Sequence, residues 1–92
     1  MHLFRVIATG QPGVTMFAAS YSDAANLFTA YWLLTQDVAM PDFEIRWQHE
    51  QAADGDAVHL RGALALNIAG VGLYDPEKGW TIVPPERFEE IA

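Results

Sequence analysis

The sequence predicts an α+β domain, in which an antiparallel sheet of about five strands carries two helices packed on one face. The predicted order of elements is ββαβαββ. Two pairs of short apolar segments each enclose a turn, one segment alternates strictly between apolar and polar residues, and two longer segments have helical spacing. Hydrophobic residues form 51% of the chain and charged residues 18%, which is typical of a folded protein. We expect one compact domain over residues 1–92.

The first two strands form a predicted hairpin. Residues 2–9 are apolar on both faces of a strand, which predicts an interior position in the sheet. Gly10 and Gly13 can take the backbone angles of a turn, and Pro12 lies between them. Residues 14–19 then return as the second strand, so that an antiparallel pair is the expected arrangement.

An apolar helix is predicted after this hairpin. Ser20 or Ser22 can cap its N-terminus, and Pro41 excludes its continuation. One stripe of side chains has the spacing expected for packing along the sheet. Its members are Ala24, Leu27, Tyr31, Leu34 and Val38.

A second apolar stripe on the same helix, which includes Ala25, leaves little polar surface. Most surface helices of small domains keep a polar side, so we expect this stripe to contact another protein. The expected partner is a second copy of the chain, which predicts a homodimer. The residues of this predicted apolar interface are Phe28, Trp32 and Leu33.

The middle of the chain contains the clearest strand signal. Residues 43–50 alternate between apolar and polar side chains, as in an antiparallel strand with one buried and one wet face. Residues 56–69 fit either a helix or a strand. Their length and their many Ala and Leu residues favour the helix, with Gly70 as the residue that ends it.

The last part of the chain predicts a second hairpin. Residues 71–74 and 80–83 are apolar, and the loop 75–79 between them contains Asp75-Pro76 and closes with Gly79. Pro84 and Pro85 end the final strand. Residues 86–91 then predict a short helical turn.

The charge of the chain excludes some classes of partner. The formal net charge is −7, and the five basic residues are scattered. Direct nucleic-acid binding and binding to anionic membranes need clustered Lys and Arg, so we expect neither. The chain has no cysteine, no signal-peptide pattern at its N-terminus and no apolar run long enough to span a bilayer. These features favour a cytoplasmic protein.

The acidic residues are concentrated in the second part of the chain. Residues 1–41 hold two acids against one Arg, whereas residues 42–92 hold ten acids against four basic residues. Ordinary solubility explains this excess, and an acidic binding face for a basic protein is the alternative. The residues of that possible face are Asp42, Glu44, Glu50, Asp54 and Asp56.

The side chains capable of catalysis do not form a known motif. His49 and His59 flank an acidic loop, but their spacing matches no established metal-binding signature. Neither serine before the helix lies in a G-x-S-x-G context, so helix capping explains both. We therefore expect no metal, no cofactor and no enzymatic activity.

Three functional hypotheses remain open. The first is a small, non-enzymatic protein-binding or accessory domain that self-associates through the aromatic helix. The second is an acidic inhibitor from a phage or mobile element, which would mimic nucleic acid on a basic protein and associate fast in low salt. The third is a small enzyme or ligand-binding domain with a site near His49 and His59.

Overall fold

The computed structural model describes residues 1–48 and 57–91, and it contains a five-stranded antiparallel sheet with two α-helices and one 3₁₀ helix. This confirms the predicted α+β class and the predicted ββαβαββ order. Of the ambiguous segment 56–69, the structure shows residues 57–65 as a helix. The prediction that Gly70 ends this helix is wrong, because the helix ends at Ala65, Asn67 has a positive φ of 55° and Gly70 already belongs to the next strand. The elements are β1 His2–Ala8, β2 Val14–Ala18, α1 Tyr21–Thr35, β3 Phe43–Trp47, α2 Ala57–Ala65, β4 Gly70–Asp75, β5 Gly79–Val83 and a 3₁₀ helix Pro85–Ile91.

The strands lie in the order β3-β1-β2-β4-β5, and each neighbouring pair is antiparallel. Both predicted hairpins are present, as β1–β2 and β4–β5. The interior position predicted for β1 is also confirmed, because β1 pairs with β2 on one side and with β3 on the other. This order leaves β3 and β5 as the two edges of the sheet.

Helix α1 and the 3₁₀ helix cover one face of the sheet, which we call the first face. Phe28 and Trp32 lie on the side of α1 that meets the sheet, and they are only 2% and 3% exposed. Phe88 of the 3₁₀ helix is also buried there, in edge-to-face contact with Tyr31 at 5.9 Å. The core of the first face is formed by Phe4, Val6, Ala8, Met16, Ala18, Ala24, Phe28, Trp32, Val71, Val83 and Phe88.

The two apolar stripes of α1 are therefore placed differently from the expectation. The structure puts Phe28 and Trp32 in the protein's own core. The stripe predicted to pack on the sheet is confirmed in part, because Ala24 is buried in the same core and Leu27 and Tyr31 pack against it, whereas Leu34 is exposed and Val38 lies beyond the end of α1 and is exposed. The stripes are neighbours on the helix surface, so helical spacing does not distinguish them. Burying the larger aromatic rings removes more apolar area from water, and this favours the observed orientation.

Helix α2 contacts the opposite face, which we call the second face. Its Leu60 and Ala63 pack with Leu3 of β1 and Phe17 of β2 in a separate buried cluster. The sequence analysis expected α2 beside α1. The difference follows from the period of a strand, because successive side chains point to opposite faces and both sides of β1 and β2 carry apolar residues that need cover.

The ends of α1 are held by specific hydrogen bonds. The side chain of Ser20 accepts a hydrogen bond from the backbone N–H of Asp23 at 3.1 Å, which identifies Ser20 as the cap. Beyond the C-terminus, the indole Nε1 of Trp32 donates to the backbone carbonyl of Val38 at 2.8 Å. This bond joins the chain after the helix to the core and sets the path towards β3.

Candidate interaction surface

Strand β3 presents one row of its backbone groups away from the sheet. The N–H of Gln48 donates to the carbonyl of Leu3 at 3.0 Å, and the carbonyl of Asp42 accepts from Thr9 at 3.2 Å. Hydrogen-bonded pairs alternate along an antiparallel ladder, so the even-numbered residues 42–48 face β1. The N–H and C=O groups of Phe43 and Ile45 therefore point away from β1, and we call this side of the strand the β3 edge.

No described strand pairs with the β3 edge. Exposed edges are places where another chain can add a strand, because a row of backbone donors and acceptors is ready to pair. Strand β5 forms the other edge of the sheet, but Trp80 and Ile82 on β5 pack against the cluster that contains α2. Of the two edges, β3 is the one that no described helix supports on the second face.

Two opposite charges on β3 point to the second face. Glu44 and Arg46 form an ion pair at 2.9 Å, and their side chains are 57% and 66% exposed. Arg46 stands opposite Arg5 of β1 in the ladder, which places two like charges on neighbouring strands. Arg5 forms no ion pair with a described residue. The guanidinium of Arg5 lies beside Gly13, on the side of β1 that pairs with β2.

The first-face side chains of β3 are aromatic and aliphatic. Phe43 contacts Phe28 of α1, with ring centroids 4.8 Å apart, and is half-buried. Trp47 contacts His2 at 4.9 Å but remains 52% exposed. A half-exposed tryptophan ring on an edge strand is typical of a residue that becomes buried in an interface.

Exposed apolar residues also follow the end of α1. Leu33 is 72% exposed and is the one residue of the predicted Phe28–Trp32–Leu33 interface that the structure places at the surface. Leu34, Val38 and Met40 are exposed along the same part of the chain. Two of the three residues of the predicted interface, Phe28 and Trp32, therefore lie in the core, and the exposed residue that remains is the aliphatic Leu33.

The predicted acidic face is described only in part. Asp42 and Glu44 lie at β3, whereas Glu50, Asp54 and Asp56 lie outside the described residues. Glu44 is already paired with Arg46. The two described members therefore do not form an unbroken acidic surface, and the mimicry of nucleic acid stays a prediction from composition.

A cleft of about 520 Å³ opens where β2 and β4 diverge beyond the pair Thr15 and Gly72. Its walls include aromatic rings from both faces of the sheet, and Arg5 is the charged residue among its described lining groups. The indole Nε1 of Trp80 is buried and has no hydrogen-bond acceptor among the described residues. The described aromatic residues of the lining are Phe28, Tyr31, Trp32, Tyr74 and Trp80.

The histidines do not assemble a site in the described part of the chain. His59 is half-buried beside Gly79 and is not among the residues that line the cleft. His49 lies outside the described residues. Within residues 1–48 and 57–91, no group of three His, Cys, Asp or Glu side chains is placed to hold a metal ion. The predicted site near His49 and His59 stays a prediction.

Comparison of the chain with protein-family models, with curated proteins and with solved structures found no match. Among the described helices, none is long and apolar enough to cross a membrane. The functional assignment therefore depends on the surface features of the fold. Among these features, the β3 edge was not predicted from the sequence. Its signal is present as the pattern Phe43-Glu44-Ile45-Arg46-Trp47, but an edge position is visible only once the strand order is known.

Proposed function

We propose that this chain is a small, non-enzymatic protein-binding or accessory domain that self-associates through the β3 edge. The observation that supports the proposal is the outward backbone of Phe43 and Ile45, which no described strand pairs with, beside the half-exposed Trp47 ring. Pairing of such an edge gives backbone hydrogen bonds and buries apolar side chains together. We also propose a cytoplasmic location, which suits a chain without cysteine.

Amide hydrogen exchange tests this proposal residue by residue. Amides of Glu44 and Arg46 point to β1, so we expect them to be protected at every protein concentration. The amide of Ile45 points outward, and we expect its protection to rise with concentration, in step with the mass measured by light scattering. The inward amides are the internal control, because they report unfolding of β3 and do not depend on association.

The contradicting result is simple to recognise. A protein that keeps the monomer mass of 10.2 kDa up to several hundred micromolar, with an Ile45 amide that exchanges fast throughout, would exclude self-association through this edge.

The cleft favours a second candidate function, which is the binding of a small aromatic ligand. Two polar groups of the cleft support this candidate. The buried indole Nε1 of Trp80 has no hydrogen-bond acceptor among the described residues, and Arg5 also lines the cleft. A ligand with a ring and an anionic or carbonyl group would fit these partners.

Titration with benzoate and with toluene, followed by NMR, tests whether the cleft binds such a ligand. Benzoate should shift the Trp80 indole signal, and Trp80→Phe should weaken benzoate binding more than toluene binding. Absence of any shift at millimolar benzoate would exclude this candidate.

A further inference from the structure

We propose that the cleft between β2 and β4 binds an aromatic carboxylate with two fused rings. Its carboxylate pairs with the Arg5 guanidinium on the second face of the sheet, and its rings occupy the opening between the two strands. This inference rests on the second candidate function, the binding of an aromatic ligand, and adds the chemical class and the orientation of that ligand. It is independent of association through the β3 edge.

The opening in the sheet begins where the ladder between β2 and β4 ends. Thr15 and Gly72 form the last pair of that ladder, and no described residue of β2 pairs with Tyr74, two residues further along β4. Hydrogen-bonded pairs alternate along the antiparallel ladders, so the even-numbered residues of β4 direct their backbone N–H and C=O groups towards β2. The backbone of Tyr74 therefore faces the opening and adds one donor and one acceptor to its wall.

The guanidinium of Arg5 lies beside this opening, on the second face. The atoms nearest to a Cβ built on Gly13 are Nε, Nη2 and Cζ of Arg5, at 2.7, 2.8 and 2.9 Å. The guanidinium therefore lies across Gly13, and both residues line the cleft. No described residue forms an ion pair or a side-chain hydrogen bond with Arg5. Its N–H groups are available to a ligand, and the planar fork of a guanidinium binds a carboxylate through two hydrogen bonds.

The rest of the wall is mainly aromatic and aliphatic. On the second face, the ring of Trp80 lies over Gly72 and contacts Tyr74, with ring centroids 5.2 Å apart. On the first face, Tyr31 of α1 is half-buried, and Leu73 is 47% exposed although it lines the cleft. An aromatic ligand that covers Leu73 and Tyr31 removes this apolar surface from water.

The size and the charge of the cleft select the class of ligand. A cavity of about 150 Å³ accommodates one benzene ring, and the cleft has about 520 Å³, which leaves room for two fused rings and a carboxylate. Arg5 is the one charged side chain among the described lining residues, so it matches a single anionic group. A second carboxylate on the ligand would lose its water against an aromatic wall without gaining a partner.

A matched pair of ligands tests the class. 2-Naphthoate carries the proposed carboxylate, whereas 2-naphthalenemethanol has the same two rings and a neutral hydroxyl group. We expect 2-naphthoate to bind roughly tenfold more tightly, as measured by NMR chemical shifts of the cleft residues. Salt at about 0.15 M screens the long-range repulsion between the anion and a chain of net charge −7, so the titrations compare local contacts.

Substitution of Arg5 tests its role in the cleft. Arg5→Met keeps a flexible aliphatic side chain and removes the charge. It should weaken 2-naphthoate binding by roughly tenfold or more and change the binding of 2-naphthalenemethanol by less than about threefold. Arg5→Lys keeps the charge without the planar fork and should have an intermediate effect. Circular dichroism checks that both variants are folded.

Gly13→Ala tests the position of the guanidinium without changing any charge. Gly13 has no positive φ, and a methyl group there displaces only the flexible end of Arg5. We expect 2-naphthoate binding to weaken by about fivefold, with the binding of 2-naphthalenemethanol and the melting temperature unchanged. The matched control is Gly62→Ala in α2, where the same methyl group meets no atom within 4 Å and does not line the cleft. This control should bind both ligands like the unaltered protein.

The outcomes separate this inference from the candidate function on which it rests. Equal affinities for 2-naphthoate and 2-naphthalenemethanol, or unchanged 2-naphthoate binding in Arg5→Met and Gly13→Ala, overturn the aromatic carboxylate and leave the binding of an aromatic ligand intact. Absence of any shift in the cleft with either ligand at millimolar concentration overturns both. A preference for 2-naphthoate that both variants lose, with nuclear Overhauser contacts from its rings to Tyr31 and Leu73, supports the inference.

Discussion

At the scale of single residues, Trp32 and Leu33 show how neighbouring positions on one helix take opposite roles. Trp32 is 3% exposed, contacts Phe28 and donates its indole hydrogen bond to Val38. Leu33 is 72% exposed. A step of one residue rotates a side chain by about 100° around the helix, so one of the two lies in the core and the other at the surface.

Replacing these two residues should therefore have very different effects. We expect Trp32→Ala to lower the free energy of unfolding by about 3–5 kcal/mol, since a large buried ring is lost. Trp32→Phe keeps a ring but loses the bond to Val38, and should cost about 1 kcal/mol or more. Leu33→Ala is the control and should change stability by less than about 0.5 kcal/mol. Urea denaturation at low protein concentration measures all three, and equal effects at Trp32 and Leu33 would contradict the orientation of α1.

At the scale of elements, the N-terminus of α1 depends on one serine. Both Ser20 and Ser22 precede the apolar part of the helix, and the sequence left the choice between them open. The structure places Ser20 in an extended conformation, with its hydroxyl accepting from the N–H of Asp23. Ser22 lies within the helix. The difference arises from backbone geometry, since only a non-helical residue can direct its side chain to the free N–H groups of the first turn.

Alanine substitution distinguishes the two serines. Ser20→Ala should lower the free energy of unfolding by about 1 kcal/mol, because the first turn of α1 loses its capping acceptor. Ser22→Ala should leave it unchanged or slightly higher, because alanine is a better helix former than serine. Thermal unfolding followed by circular dichroism measures both. A larger loss at Ser22 would indicate that the helix begins later than described.

Helix α2 carries a glycine whose replacement should stabilise the protein. A Cβ added at Gly62 meets no atom within 4 Å, and the residue lies inside the helix at the surface. Gly62→Ala should raise the free energy of unfolding by about 0.5–1 kcal/mol, because glycine has the larger conformational entropy when unfolded.

The control for Gly62 is Gly70 at the start of β4. A Cβ at Gly70 would overlap the backbone carbonyl of Val83, so Gly70→Ala should destabilise the protein by about 1–3 kcal/mol. Chemical denaturation compares the two variants. Destabilisation by Gly62→Ala would contradict the helical assignment of this segment. From the sequence alone, the segment fits either a helix or a strand.

At the scale of the whole molecule, the sheet is covered unevenly. Helix α1 and the 3₁₀ helix bury the first face, whereas α2 contacts the second face near β5. Strand β3 lies at the opposite edge from β5. Among the described residues, no helix packs on the second face at β3 and no strand pairs with its outer side, so we propose association through β3.

Association through β3 predicts stability that depends on concentration. A partner that binds only the folded state raises its stability, by about 2.7 kcal/mol when present at 100 times its dissociation constant. We expect the melting temperature to rise by roughly 5 °C or more between low and high micromolar protein. A melting temperature that is independent of concentration for the unaltered protein would contradict self-association.

The candidate surface could be predicted from the sequence only in fragments. The alternation from Phe43 to Trp47 indicated a strand, and Glu44 was assigned to a possible acidic face because of the local excess of acids. The structure instead pairs Glu44 with Arg46 of the same strand. That strand lies at an edge because residues 2–8 pair with both β2 and β3. Pairing between distant segments has no signature in local periodicity.

The sequence by itself predicted the number and order of the elements, and the type of each except the segment 56–69, because turn residues, caps and hydrophobic periods act over a few neighbouring positions. Tertiary structure decided which side chains of the two stripes of α1 are buried against the sheet, which face α2 covers and which strands are edges. Those choices depend on long-range pairing and on the total apolar area buried by competing arrangements. Phe28 and Trp32 therefore belong to the core, and the surface proposed for association lies on a strand whose outer side only the assembled sheet defines.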